Sequence, residues 1–177
     1  MRWSDQDFSR LFEELYAPLL RFLAGFTGDP GLAEDLTQEA LLRLYRQPRS
    51  LEEQAARFWV FRTGRNLALN VLRQRRVRDR LRSVVGRALH REPRTADEET
   101  VRSETVRRQL ALLGSLPDHQ RAALLLREQE GLTYRQIARV LDISENKVKV
   151  DIHRARISLR RRWERGAGAR RRQERSS

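Results

Sequence analysis

LTYRQIARVLDISENKVKVDIHRAR, residues 132–156, is the stretch on which the reading of this chain turns. Within it Tyr134, Ile137, Ala138 and Leu141 recur at i, i+3, i+4 and i+7, the apolar stripe of an amphipathic helix. Asp142-Ile143-Ser144 breaks that pattern, and Ser144 is a good N-cap for a second helix. In the second helix Val148, Ile152, Ala155 and Leu159 form the inward stripe, while Lys147, Lys149, Arg154 and Arg156 lie on other faces. Two short helices joined by a three-residue turn, the second of them basic, make the helix-turn-helix pattern that enters a DNA major groove. An ordinary helical hairpin with a solvated basic face reads the same way, so the rest of the chain must decide.

Composition favours a polyanionic partner. The chain has 177 residues, enough for one domain or two small ones, and carries a formal charge of +13 with a pI near 11.4. Residues 1–60 sum to −3 and residues 61–94 to +9; after an acidic stretch over 95–118, residues 143–177 sum to +8. Two basic blocks suggest two nucleic-acid contacts. Arginine outnumbers lysine 35 to 2, and both lysines, Lys147 and Lys149, sit in the second helix of the opening stretch. The absence of cysteine excludes disulfides and thiolate metal sites. No apolar run approaches the roughly 20 residues of a membrane span, and MRWSDQDF is no signal peptide. A cytoplasmic protein without direct membrane insertion is expected.

Taken in order, Phe8, Leu11, Phe12, Leu15, Leu19, Phe22 and Leu23 predict a helix over 5–26 that Pro18 should kink or interrupt. Gly28-Asp29-Pro30-Gly31 is a turn. A second helix over about 32–46 turns Leu32, Leu36, Ala40 and Leu44 inward, with Leu41 and Leu42 widening the stripe. Glu34, Asp35, Gln38 and Glu39 give it an acidic surface, which no histidine completes as a metal or acid–base site. A third helix, over about 55–82, is basic. Val60, Gly64, Leu67, Ala68 and Val71 face the core, and Arg62, Asn66, Leu69, Arg73 and Arg76 share another face. Phe58, Trp59 and Phe61 at its start suit stacking on unpaired bases, or they are simply core.

Periodicity weakens from Val77 to about Thr105, and Pro93 disfavours a continuous helix there, which predicts a linker with room for helix in its first half. Beyond it Val106, Leu110, Leu113 and Leu116 form a stripe. Pro117 then opens a helix holding Ala122, Leu125 and Leu126, and Gly131 closes it before the helix-turn-helix. The Arg-rich end, with Gly166 and Gly168, reads as a frayed helix leading into a disordered tail. The expected fold is therefore all-α. An N-terminal helical bundle (1–82) and a C-terminal four-helix domain (106–163) are joined by a linker (83–105), with a tail over 164–177.

With those pieces placed, the sequence resembles a bacterial RNA polymerase sigma factor of the extracytoplasmic-function class, a reduced branch of the sigma-70 family. The N-terminal match is GDPGLAEDLTQEALLRLYR (28–46) followed by RFWVFRTGRNLALNVLRQRR (57–76), which resembles the family's second conserved region. The C-terminal match, LALLGSLPDHQRAALLLREQEGLTYRQIARVLDISENKVKVDIHRARISLR (110–160), resembles the fourth.

The resemblance implies partners and positions. Asp35, Gln38, Glu39 and Leu42 fall where the family docks on the clamp helices of core RNA polymerase. Trp59, Arg62, Arg65, Asn66, Arg73 and Arg76 fall, with the 47–56 loop, where unwound minus-10 DNA is held and a base is flipped into a pocket. Arg135, Lys147, Lys149, Val150, Asp151, Arg154 and Arg156 fall where the minus-35 major groove is read or flanked, in the region that also binds the polymerase flap. An anti-sigma factor is a further expected partner; no cofactor or metal is implied, and no catalysis.

Two departures stand out. Lys147 and Asp151 occupy positions where the family usually has Thr and often a basic residue. Asp151 either accepts from a cytosine amino group, giving an unusual minus-35 preference, or pairs with Lys147 or Arg154 along its own helix. The linker is basic in its first half where the family's is commonly acidic. Off the polymerase the two domains are expected to collapse together or to be clamped by an inhibitor. Competing readings are a stand-alone helix-turn-helix regulator and a protein that sequesters a regulator by mimicking a sigma factor. An enzyme is disfavoured, because His90, His119 and His153 are isolated and no nucleophile stands near them.

Overall fold

Seven helices follow one another along the residues described: α1 Asp5–Thr27, α2 Pro30–Tyr45, α3 Glu53–Val85, α4 Arg102–Gly114, α5 Asp118–Glu128, α6 Tyr134–Leu141 and α7 Glu145–Glu174. The computed structural model describes residues 3–47, 51–85 and 102–174, with backbone alone for 82–85, 102–105 and 166–174. The arginine-dense 86–101 part of the linker lies outside the described residues.

Local chemistry sets the helix ends. Ser4 caps α1 by accepting the Asp7 N–H at 3.1 Å, with Asp5 and Asp7 at the positive end of the helix dipole. At the other end Gly28 adopts φ 70°, a left-handed conformation that costs glycine little, and returns its N–H to the Ala24 carbonyl. Asp29 then caps α2 through the Leu32 N–H at 3.0 Å, with Pro30 on the first turn where its missing N–H is harmless. The helix runs unbroken through Pro18, contrary to the expected interruption. Leu11, Leu15, Leu19, Phe22 and Leu23 are all buried along it, so packing on both sides of the proline outweighs one missing hydrogen bond.

Helices α1, α2 and α3 form the N-terminal unit around Phe22, Phe26 and Phe61, each fully buried. Gly64 belongs to this core: a Cβ there would lie 3.2 Å from both Leu19 and Leu23 side chains, so its absence lets α3 approach α1 closely. Helices α5, α6 and α7 pack together around Leu126, Ile137, Val140, Val148 and Ile152, with α4 alongside.

The helix-turn-helix forms as its spacing requires, with Ile137, Ala138, Leu141, Val148, Ile152 and Ala155 buried. Thr133 and Gln136 make a reciprocal capping box at the start of α6. Asp142 ends α6 at φ 58°, and the Ser144 hydroxyl accepts the Lys147 N–H at 3.2 Å to start α7.

Several boundaries and faces depart from the sequence reading. Helix α4 begins at Arg102, ahead of the 106 boundary set for the C-terminal domain, while α3 reaches Val85 within the first half of the 83–105 linker, where helix had room to form. Helix α7 continues to Glu174 instead of giving way to a tail at 164, because two glycines are too few to end a run of good helix formers. Val106, placed inward by periodicity, is 48% exposed, and Leu42 is 46% exposed. Both sit at the margin of their helix's apolar stripe, where spacing alone does not fix the side.

Candidate polymerase and nucleic-acid interfaces

Helix α2 turns Asp35, Gln38 and Leu42 to solvent, with Glu39 half-buried beside them. These positions share one face by helical spacing. Glu39 accepts from Arg43 at 2.6 Å, one turn on, and Tyr45 extends the exposed strip while its hydroxyl donates to Asp5 at 3.2 Å. The result is an acidic surface with exposed apolar side chains, which suits a basic helical partner better than nucleic acid. The base of α2 is anchored by Asp29. The Leu32 N–H, and after it Arg75 at 2.9 Å, hold its carboxyl below the usual range against the opposing effect of burial.

On α3 the aromatic residues separate. Phe61 is fully buried and meets Phe22 edge-on with ring centroids 5.4 Å apart, so it belongs to the core. Trp59 is half-buried against the core and also lines a cleft of about 460 Å³ with Arg43, Arg46, Thr63, Asn66 and Asn70. Arg43, Arg46, Thr63 and Asn70 were not singled out by the sequence reading. The approach of the end of α2 to α3, which brings them to Trp59 and Asn66, has no signature in local spacing. Arg73 is exposed farther along α3.

The remaining expected minus-10 residues face the C-terminal unit. Arg62 donates to the carbonyls of Arg139 and, at 3.3 Å, of Val140, the unsatisfied end of α6, with Asp142 at 4.0 Å. Arg76 makes a two-pronged contact with Asp118, at 3.0 and 3.2 Å, which holds the guanidinium pKa above its ordinary value. Arg65 is half-buried next to Asn66; burial lowers its pKa, and Asp118 opposes that shift.

Three further contacts complete this seam. Glu130, whose side chain is only 2% exposed, accepts from Arg21 at 3.0 Å and from Arg57 at 3.2 Å. Buried Arg121 donates to the Phe26 carbonyl at the end of α1, at 2.6 Å. Gly25 lets Leu125 approach α1, since a Cβ at that glycine would stand 3.1 Å from the leucine side chain. The seam is thus held largely by cations of one unit and anions or carbonyls of the other. E130Q should loosen it by about 1–2 kcal/mol, allowing for the partial exposure of both arginines. Small-angle scattering at low salt is expected to show a larger radius of gyration for E130Q than for the native chain, the gap closing at high salt. Equal radii at low salt would contradict this.

In the C-terminal unit Arg135, Lys149, Val150, Arg154 and Arg156 are exposed, and Val150 is 42% accessible. Arg156 is held by Glu128 at 2.5 Å. Asp151 differs from all of these. It is fully buried, and Lys147 Nζ donates to its two oxygens at 2.5 and 2.7 Å, with His119 Nε2 at 3.5 Å. Of the two roles expected for Asp151, the geometry corresponds to pairing with Lys147 one turn back on the same helix. A carboxylate so enclosed does not face a groove.

Among the described residues, no group of three or more His, Cys, Asp or Glu is arranged to hold a metal ion, and no helix is long and apolar enough to cross a membrane. His90 lies outside the described residues.

Comparison with known proteins places both halves. Residues 11–78 match the family model for sigma-70 region 2 and residues 100–159 that for sigma-70 region 4. The chain is 33% identical over 154 residues to the ECF RNA polymerase sigma factor SigL of Mycobacterium tuberculosis, covering 85% of each protein. It is 28% identical over 147 residues to SigM of Bacillus subtilis, covering 82% of this chain and 88% of the relative. The fold is shared with CnrH, solved with the cytosolic domain of CnrY, at a TM-score of 0.69 and 20% identity over 91% of this chain and 90% of that one. It is shared also with the sigma factor RpoE of Bartonella quintana, solved with the anti-sigma factor NepR, at a TM-score of 0.64 and 20% identity over 88% and 96%. With region 2 preceding region 4 and the identity spread across both, the chain belongs to the ECF RNA polymerase sigma factors of the sigma-70 family.

Proposed function

We propose that this sigma factor docks on core RNA polymerase through the Asp35, Gln38, Glu39 and Leu42 face of α2, and holds unwound minus-10 DNA along α3. It sets α7 in the minus-35 major groove. The observation that carries this division of labour is the cleft beside Trp59 and Asn66, at the junction of the acidic α2 and the basic α3. A stacking ring, amide groups and flanking guanidinium groups around one concavity suit an extruded base and its phosphates. The factor contributes recognition and melting and no chemistry of its own, working in the cytoplasm where the polymerase is. An anti-sigma factor is a natural regulator. The similarly folded RpoE and CnrH were solved with NepR and with the cytosolic domain of CnrY, and an inhibitor that favours the closed seam keeps Arg62 and Arg76 covered.

Run-off transcription with core polymerase on genomic promoter fragments tests the reading. Starts that depend on the added chain are expected, and W59A/N66A should reduce them at least about tenfold while co-purification with polymerase persists. Duplex binding and regulation that need no polymerase, and ignore that double substitution, would instead identify a stand-alone regulator.

A further inference from the structure

Lys147, Lys149, Arg154 and Arg156 of α7 are all solvent-accessible, but two of the four are already paired with carboxylates. Arg156 is taken up by Glu128 at 2.5 Å, and Lys147 by buried Asp151 through both carboxylate oxygens. Lys149 and Arg154 are exposed and show no acidic partner among the described residues; Lys149 Nζ lies 6.0 Å from the centre of the Tyr134 ring. Asp151 lies on the inward stripe with Val148, Ile152 and Ala155, all buried, and reaches His119 on the first turn of α5. A buried carboxylate is costly without a partner, so Lys147 cannot leave for a phosphate without exposing that cost.

From this we infer that Asp151 is a positioning residue that withdraws Lys147 from DNA, leaving Lys149, Val150 and Arg154 to carry minus-35 recognition. The inference rests on the proposed minus-35 role of α7. Its chemical content is specific. Each lysine that neutralises a phosphate adds about one to the slope of log affinity against log salt, regardless of sequence. Keeping Lys147 silent therefore trims sequence-independent binding and leaves the exposed Val150, suited to a thymine methyl, and Arg154, suited to a guanine edge, a larger share of the total.

The test uses holoenzyme assembled from core polymerase and the full chain, with a duplex promoter selected from a random library and a scrambled duplex of equal length. D151N keeps the shape of the side chain and removes its charge. It should steepen the salt slope by about one and tighten binding to the scrambled duplex, and D151N/K147M should return the slope to its native value. A D151N slope equal to the native one, or an altered preference at a single base pair with no change of slope, would overturn the inference.

A second measurement needs no variant. Lys147 and Lys149 are the only lysines in the chain, so reductive methylation followed by peptide mass spectrometry reads each separately. Promoter binding should slow modification of Lys149 and leave that of Lys147 unchanged; equal protection of both would refute the proposal. If native holoenzyme does not discriminate promoter from scrambled duplex at all, it is the proposed promoter role that fails. The slope and methylation comparisons are made only where discrimination is present.

Discussion

Replacing Arg121 by alanine is expected to destabilise the chain by about 3 kcal/mol and to lower its thermal midpoint by roughly 6–12 °C. The guanidinium is buried, and its donors reach the carbonyls of Phe26 at 2.6 Å, Gly114 at 3.0 Å and Leu116 at 3.1 Å, while its charge lies 5.5 Å from the centre of the Phe26 ring. Burial lowers its pKa, and the nearby Asp118 carboxylate at 3.6 Å opposes that shift. Alanine leaves the Phe26 and Leu116 carbonyls buried without that donor, which is the expensive way to lose a hydrogen bond. Lysine restores the charge but not the planar fork, so R121K should recover less than half of the loss. Calorimetry of the three proteins decides it; an R121A midpoint within about 2 °C of the native one would show that water replaces the guanidinium at no cost.

An effect as large is expected at Phe22. Its side chain is fully buried, stacks on Phe26 at 5.8 Å and meets the edge of Phe61 at 5.4 Å. F22A removes most of an aromatic ring from the middle of the N-terminal core and should cost about 3–5 kcal/mol, the combined effect of lost transfer energy and an unfilled cavity. F22L keeps most of the volume and should cost under about 1.5 kcal/mol. Phe12, on the same helix but 37% exposed, is the matched control, and F12A should cost about 1 kcal/mol or less. Urea titrations give the ranking, and an F22A midpoint equal to that of F12A would mean that the three rings are not a packed unit.

Much of the fold was written in the sequence because it is local. The inward stripe of α7, the Ser144 cap and the turn at Asp142 follow from spacing and residue type, and the helix-turn-helix formed where they placed it. The local code goes further still: Thr133 followed three residues later by Gln136 is a capping box, and Asp29 before Pro30 is an N-cap. The candidate site was less legible. In a chain with 35 arginines, nothing near Arg121 in sequence distinguishes it from its solvated neighbours; its burial depends on Phe26, 95 residues away. Glu130 was equally opaque, since Arg21 and Arg57 come to its turn after α5 from the distant helices α1 and α3. Asp151 was half-legible, because the four-residue step from Lys147 announced a possible pair, while its complete burial required α5 to be placed against α7.

On the function proposed above, the seam between the units would give the polymerase leverage over DNA binding at a distance. Arg62 and Arg76 are occupied by the α6 carbonyls and by Asp118, so a molecule able to offer them to phosphates must first be open. Were closure favoured by about 2 kcal/mol, roughly one molecule in 30 would be open, and the apparent affinity for any strand that needs these arginines would fall about 30-fold. A partner that merely holds the two units apart restores that factor, adding affinity for a promoter without making a single contact to it.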